Sequence, residues 1–355
     1  MKQGQTLQEI IREISAQMAL KRDFVVNTKS LQMTHIPRTG DMAHQRLQLD
    51  GVGEFRLQST AHRQIGDRLG IPAKYYDRMQ QDAPELLTEN VNHWLTNHPE
   101  DRMVRTLGRT ARAFLSNRYR RLDNYDLMGA IMPTLATIPQ LTIESCAITD
   151  ERLYLKAVTA RIEGELSPGD VVNAGVVITN SEVGHGAFKV EPMIYRLICK
   201  NGLIAADHSM QKYHVGRTLT AGEAAAELFS DEALQADDVA FWLKARDVVA
   251  GSFSEQVFSK IVNRMREAKQ QPITGSPHKA VAELTNRFGL TEFDTDNIFQ
   301  HLLTGGDLSK LGMANAVTRH SQDVTGYDQA TDMERLGGRI IELNATEWHT
   351  IATAA

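Results

Sequence analysis

The chain has 355 residues, of which 42% are hydrophobic and 23% charged, a composition typical of a soluble globular protein of two or three domains. Its net charge is −5, and its only cysteines, Cys146 and Cys199, form no CxxC pair. No apolar stretch approaches the roughly 18 residues of a membrane-spanning helix. These features exclude a zinc knuckle, a CxxC redox motif and a membrane span, and they predict a cytoplasmic protein.

The first hundred residues are predicted to be mostly helical. Apolar residues at helical spacing predict a helix over residues 6–20, with Thr6 as its N-cap. Residues 27–44 show no clear period and predict an extended segment. Two short strands are predicted within 45–58, and a series of short helices within 60–97.

Residues 65–79 (IGDRLGIPAKYYDRM) have the pattern of a helix-turn-helix, with Gly70 at the turn. A DNA-reading helix would begin at Pro72-Ala73-Lys74, which offers few donors for base edges. A packed helical hairpin is therefore the favoured interpretation.

The middle of the chain changes to strand patterns. A hairpin is predicted from residues 103–107 and 111–116, followed by a helix over 123–135 that begins at Asp123 or Asn124. Four further strands are predicted, at 141–148, 152–160, 171–180 and 187–199. Short links between consecutive strands favour antiparallel pairing, and no alternating βαβ pattern is present. We therefore predict one antiparallel sheet of at least five strands within residues 100–217, with the helix on one face.

The last third is predicted to be all-helical. Helices are expected at 221–229, 237–253, 253–265, 278–288, 295–303, 308–322 and 328–336. Gly337-Gly338 is interpreted as a helix stop, and Asn344 with Glu347 resembles a capping box. The overall prediction is an α+β protein with three domains: a mostly helical one at 1–98, an antiparallel α+β core at 99–217 and a helical one at 218–355.

Charge is distributed unevenly along the chain. Residues 1–100 have 12 basic and 12 acidic side chains, residues 101–220 have 15 and 12, and residues 221–355 have 12 and 20. The basic excess in the middle indicates either an anionic partner or docking of the acidic last third on the basic middle.

Common catalytic signatures are absent from the sequence. There is no P-loop, no dinucleotide-binding glycine motif, no HExxH and no GxSxG. The twelve histidines are scattered, so we predict no metal site and no cofactor from them. A metal-dependent enzyme that uses mid-chain carboxylates remains a third hypothesis; the candidates are Glu144, Glu163, Glu182 and Glu191.

The strongest signal is a run of seven arginines between Arg102 and Arg121 with no acidic residue among them. Phe114, Tyr119 and Tyr125 lie within or beside this run. Arginine offers a planar fork to phosphate oxygens, and aromatic rings stack on bases, so the pattern favours contact with nucleic acid. The alternative is that these arginines pair with the acidic helices or cover a sheet face.

The candidate nucleic-acid ligands come from this run and from basic residues that follow it. They are Arg105, Arg109, Arg112, Arg118, Tyr119, Arg120, Arg121, Lys189, Arg196, Lys200, Lys212 and Arg217. The loop 180–186 (NSEVGHG) could bring backbone N–H groups to an anion, but its glycines are better explained by a hairpin loop that needs positive φ.

Three stretches resemble a phage- and plasmid-borne family that is catalogued chiefly as a domain of unknown function. They are residues 105–128, 177–204 (followed by 214–217) and 315–338. The second stretch is the most specific, with Arg196, Cys199, Asn201 and Gly202 before the basic segment His214 to Arg217. The resemblance implies a mobile-element origin and a bacterial host cytoplasm, and it implies no activity.

The predicted architecture also resembles, at the level of the fold, the single-strand annealing recombinases of phages, which need no ATP and form oligomers. We therefore predict a non-catalytic protein that binds or anneals single-stranded DNA in phage or plasmid recombination or replication. A homo-oligomer is expected and a membrane partner is not. The alternative is a protein-interaction factor, anti-defence or regulatory, that uses its acidic helical region.

Overall fold

The computed structural model describes residues 1–36, 44–186, 188–205 and 231–354. Within these ranges the chain forms two β-sheets and twelve α-helices, which confirms the α+β class. Thr6 is the N-cap of helix α1 (Leu7–Leu20), as the sequence predicts, and its side chain also accepts from the Glu9 backbone N–H in a capping box.

The first sheet has six strands, all from the first 116 residues. They are β1 (Lys21–Asn27), β2 (Leu31–Ile36), β3 (His44–Leu49), β4 (Gly53–Leu57), β5 (Asp101–Leu107) and β6 (Thr110–Ser116). Their order is β1-β5-β6-β4-β3-β2, in which β4 and β6 are parallel and the other neighbours antiparallel. The N-terminal region thus contains a sheet in addition to its predicted helices.

Two expectations about this sheet need correction. The hairpin of β5 and β6 forms as predicted, but it lies between β1 and β4 and does not join the later strands in one sheet. The segment 27–44 is not extended throughout, because Thr28–Ser30 form one turn of 3₁₀ helix before the edge strand β2, while residues 37–43 lie outside the described residues.

Helices α2 (Ser59–Arg68), α3 (Ala73–Asp82) and α4 (Pro84–Asn97) cover one face of the first sheet. Ile65, Tyr76 and Met79 are buried with the apolar residues of that face, so the candidate helix-turn-helix is a packed helical hairpin. His62 on α2 is buried beside it, and its Nδ1 lies 2.9 Å from the Tyr76 hydroxyl.

Burial lowers the pKa of His62 from 6.5 to about 4. Between these values the unfolded chain takes up a proton that the folded chain does not, so stability falls as the pH falls. We expect the wild-type free energy of unfolding to drop, relative to that of His62→Gln, by up to about 1.4 kcal/mol per pH unit in this window. Urea unfolding at pH 7 and pH 5 measures it, with the exposed His349→Gln as control. A pH-independent difference would contradict a neutral, buried His62.

The second sheet has five strands and is antiparallel throughout, as predicted. Helix α5 (Asn124–Ala136) is followed by β7 (Leu141–Ile148), β8 (Leu153–Glu165), β9 (Val171–Asn180), β10 (Lys189–Arg196) and β11 (Asn201–Ile204). The order is β11-β10-β9-β8-β7. The predicted helix and four strands are confirmed, whereas β11 was missed because it is only four residues long.

The last third of the described chain is helical, which confirms the prediction. It contains α6 (Asp231–Ser252), α7 (Glu255–Lys269), α8 (Pro277–Phe288), α9 (Glu292–Gly305), α10 (Lys310–His320), α11 (Tyr327–Glu342) and α12 (Ala345–Ala352). Asn344 and Glu347 form the predicted capping box of α12. The helix expected at 221–229 lies outside the described residues.

Helices lie against both faces of the second sheet. Leu155 on β8 packs in the same core as Ile10 of α1 and Ile131 of α5. Its neighbour Lys156, which points to the opposite face, pairs with Glu334 of α11. The expectation of helices on one face therefore describes only one side of this sheet.

Gly337-Gly338 does not end a helix, because α11 continues to Glu342. A Cβ at position 338 would lie 1.9 Å from the carbonyl oxygen of Ile204, and one at 337 would lie 2.3 Å from Thr318. The two glycines let α11 approach β11 and α10 closely, so their role is packing.

Candidate nucleic-acid interface

Arg105, on β5, is buried with only 1% of its side chain exposed. Its guanidinium donates to Asp23 at 2.8 Å, to Asp123 at 2.7 Å and to the backbone carbonyl of Glu182 at 2.8 Å. Burial acts to lower the pKa of Arg105, but the two carboxylates outweigh it and raise that pKa. Arg105 is a charged structural residue that phosphate cannot reach, which corrects its assignment as a ligand.

Glu182, in the loop between β9 and β10, is the second centre of this network. Its Oε1 accepts from Lys21 Nζ and from the Asn124 backbone N–H at 2.7 Å, and its Oε2 accepts from Arg112 at 3.0 Å. Burial acts to raise the pKa of Glu182, while Lys21 and Arg112 hold it below its usual value. The positive end of the α5 helix dipole favours a nearby anion. Glu182 supplies that anion, because it accepts from the backbone N–H of Asn124 at the start of the helix. Arg112, also predicted as a ligand, is held by that carboxylate.

The loop 180–186 owes its course to its glycines, as the favoured interpretation proposes. Gly184 has φ +85° and Gly186 has φ +122°, values that side chains other than glycine rarely adopt. A Cβ at Gly184 would also lie 2.7 Å from Leu115 on β6. This close approach places Glu182 beside Lys21 of β1 and Arg112 of β6, and these contacts connect the two sheets.

The loop 117–123 between β6 and α5 contains two of the three exposed arginines of the run. Arg118 is exposed, and Arg121 is 57% exposed with its Nε 3.8 Å from an Asp23 oxygen. Arg120 is half-buried, and its guanidinium carbon lies 4.9 Å from the centre of the Phe241 ring of α6. This cation–π contact joins the loop to the helical last third.

The aromatic residues of the run differ in their availability. The Tyr119 ring packs on Leu115 and Val183, and its hydroxyl donates to the Ser181 carbonyl at 3.1 Å, so it does not offer a face to a base. Tyr125, in the first turn of α5, is 45% exposed. The structure therefore favours Tyr125 over Tyr119 as a stacking residue.

The remaining predicted ligands are dispersed. Arg109 is exposed at the β5–β6 turn, Lys189 begins β10, and Lys200 is exposed at the β10–β11 turn. Arg196 forms two bonds of 2.6 Å to Asp170, and this carboxylate holds its guanidinium. Lys212 and Arg217 lie outside the described residues. The structure thus keeps Arg118, Arg120 and Arg121 on one loop and places Arg109, Lys189, Arg196 and Lys200 on other elements.

Three arginines of the run, Arg102, Arg105 and Arg112, pair with carboxylates that precede the acidic last third. Among the residues that the structure describes, Arg102 pairs with Glu100, Arg105 with Asp23 and Asp123, and Arg112 with Glu182. The expectation that the acidic helices neutralise the run is wrong for these arginines, since their partners precede residue 221.

The mid-chain carboxylates form no metal-binding group within the described ranges. Glu182 is occupied as above, and Glu191 accepts from Arg335 at 2.7 Å. The one potential group of metal ligands found in those ranges is His301, His320 and Asp323. Sequence reasoning missed it because His301 and Asp323 are 22 positions apart on different elements. The His320-x-x-Asp323 spacing was its only local signal.

The fold and the interface define an α+β protein in which an ion-paired arginine network adjoins an exposed basic loop. The sequence model described as "Domain of unknown function (DUF932)" matches residues 113–340, and the chain belongs to this family. No curated protein and no solved structure matches the chain. In the described ranges, no helix is long and apolar enough to cross a membrane.

Proposed function

We propose that the chain binds single-stranded nucleic acid without ATP, through the loop 117–123. The observation that carries this proposal is an excess of positive charge in the ion-paired network that this loop shares with the first sheet. Among the described residues, four cations meet three carboxylates there, a net charge of +1; they are Lys21, Arg105, Arg112 and Arg121 against Asp23, Asp123 and Glu182. The exposed Arg118 adds to this excess, and an anion is its natural complement.

Exposed Tyr125 favours a single strand over a duplex as the ligand. It lies in the first turn of α5, directly after the loop 117–123. Its ring is exposed, so an unstacked base can reach it. Stacking of a base on an aromatic ring contributes about 1–3 kcal/mol and does not depend on sequence. The arginines would hold the phosphates and Tyr125 one base.

Further parts of the proposal rest on the resemblances described above. They are an origin in a phage or plasmid, action in recombination or replication in the host cytoplasm, and assembly into a homo-oligomer that anneals strands. Binding of a labelled oligonucleotide is the first requirement for all of them.

We expect the double variant Arg118→Ala/Arg121→Ala to weaken binding of a single-stranded oligonucleotide while it leaves the melting temperature almost unchanged. Loss of two phosphate contacts should reduce the slope of log K against log[salt] by about 1.4, at about 0.7 per phosphate. Fluorescence anisotropy at several salt concentrations measures both quantities. Arg120 is left intact because its contact with Phe241 is structural.

The matched control is Arg78→Ala/Arg264→Ala, which removes the same charge from exposed sites on α3 and α7. An equal loss of affinity in this control would show that only net charge matters. If wild-type protein retains no oligonucleotide at low salt, the proposal fails and the protein-interaction alternative takes its place. Loss of thermal stability with unchanged binding would identify the loop arginines as structural.

A further inference from the structure

A second cluster of ionisable side chains lies far along the chain from the arginine loop, where α9 and α10 meet. His301 is on α9, His320 is the last residue of α10, and Asp323 follows in the next turn. One side-chain nitrogen or oxygen from each lies within 4.8 Å of the others. Asp323 Oδ2 lies 2.5 Å from His301 Nε2 and 4.0 Å from His320 Nδ1.

His320 is completely buried, and one of its nitrogens has no partner. Its Nε2 lies 2.8 Å from Asp294 Oδ1, while Nδ1 makes no hydrogen bond. Asp294 Oδ1 accepts a hydrogen bond from Nε2, so Nδ1 is the nitrogen left without a partner, 4.0 Å from Asp323 Oδ2.

A buried nitrogen without a partner is costly unless something binds it. A carboxylate that fixes one imidazole nitrogen while the other ligates an ion is the usual outer-shell arrangement of a metal-bound histidine. Asp294 supplies that arrangement for His320. The pairing of Asp294 with Thr291 in the capping box of α9 fixes the carboxylate in turn.

We propose that His301, His320 and Asp323 bind a divalent transition-metal ion of the zinc type. Two imidazoles and one carboxylate are ligands that such ions prefer. In a tetrahedral site with bonds of about 2.0–2.1 Å the ligand atoms are about 3.4 Å apart. The ion would therefore replace the His301–Asp323 hydrogen bond and draw His320 and Asp323 slightly together.

The surroundings leave room for a fourth ligand. His301 also lines a cavity of about 230 Å³, together with Arg319, Asn315 and Cys199. Arg319 lies 3.6 Å from Asp323 Oδ1, so the second oxygen of this carboxylate remains for the ion. A water molecule or a small anion from the cavity can complete the coordination.

The proposal is tested on the full chain after dialysis against EDTA. Calorimetric titration with Zn²⁺ should show one strong site in wild-type protein. His301→Ala and Asp323→Asn should each weaken it by at least about 100-fold, and Asp294→Asn, which changes only the outer shell, by about 10- to 100-fold. The d–d absorption of bound Co²⁺ should have the high intensity of a four-coordinate site and should lose that intensity in His301→Ala.

His301 and Asp323 are partly exposed, so these variants are expected to fold, unlike substitutions of the buried His320. The control is His93→Ala/His98→Ala, which removes two exposed histidines of α4 and its end. The inference is overturned if wild-type protein binds no Zn²⁺ in stoichiometric amount, or if the cluster variants bind it as tightly as the control does. Neither result bears on the binding of oligonucleotides.

Discussion

Replacement of Lys156 by methionine is expected to lower the free energy of unfolding by about 3–5 kcal/mol. Lys156 Nζ lies 2.6 Å from Glu334 Oε2, and both side chains are fully buried between β8 and α11. Burial lowers the pKa of Lys156, and Glu334 acts in the opposite direction. Methionine fills similar space but leaves the Glu334 carboxylate buried without its cation, and that uncompensated charge is the cause of the loss.

The double variant Lys156→Met/Glu334→Leu separates charge from packing. Removing both charges should restore much of the stability, because apolar residues of similar volume often replace a buried ion pair without loss. Urea unfolding of the two single variants and the double variant gives the coupling energy. A double variant as unstable as the sum of the two single variants would refute the electrostatic explanation.

The second large effect is expected for Glu182→Gln, again about 3–5 kcal/mol. Glutamine keeps the shape and an acceptor oxygen for the Asn124 backbone N–H, but it leaves Lys21 and Arg112, whose side chains are only 9% and 11% exposed, without this negative partner. Because Glu182 joins the loop 180–186 to the first sheet, the contact between the two sheets should weaken as well. Chemical denaturation measures the loss in free energy.

Glu89→Gln, at an exposed position on α4, is the control for the loss of one carboxylate. It should change stability by no more than about 0.5 kcal/mol. If Glu182→Gln were equally mild, the buried cations would have to be accommodated by the other carboxylates of the network.

Local elements of this chain could be predicted because neighbouring residues determine them. Thr6 with Glu9 and Asn344 with Glu347 cap their helices from three residues away, and the glycine at 108 marks the hairpin turn. Partners in a sheet are not encoded in this way. β1 pairs with β5 across most of the first hundred residues, and no property of either strand alone specifies that choice.

The arginine run shows the same limit at the level of the site. Its composition predicts a basic surface, but burial of Arg105 depends on Asp23, which is 82 positions away. A cation's role is decided by whether the fold brings a carboxylate to it. For the same reason the sequence could not show that His301 and His320 meet, since each has an ordinary helical context.

Gly337-Gly338 illustrates how one residue type serves opposite purposes. Glycine lowers helix propensity by about 1 kcal/mol, which favours interpretation as a stop. That cost is outweighed here because any larger residue would separate α11 from β11 and α10. Only the packed structure reveals which effect dominates.

The position of β6 has a practical consequence for anyone who expresses part of this chain. The family match begins at residue 113, inside β6, so a fragment cut at that border loses the neighbouring strands β5 and β4. Phe114 and Leu115 would then lose apolar side chains that bury them. Glu182 would lose both of its cationic partners, Lys21 and Arg112. An orphaned strand with apolar side chains invites pairing with other copies and aggregation. The border of the family match is therefore a poor truncation site, because β6 and Glu182 depend on strands and ion pairs from the preceding 112 residues.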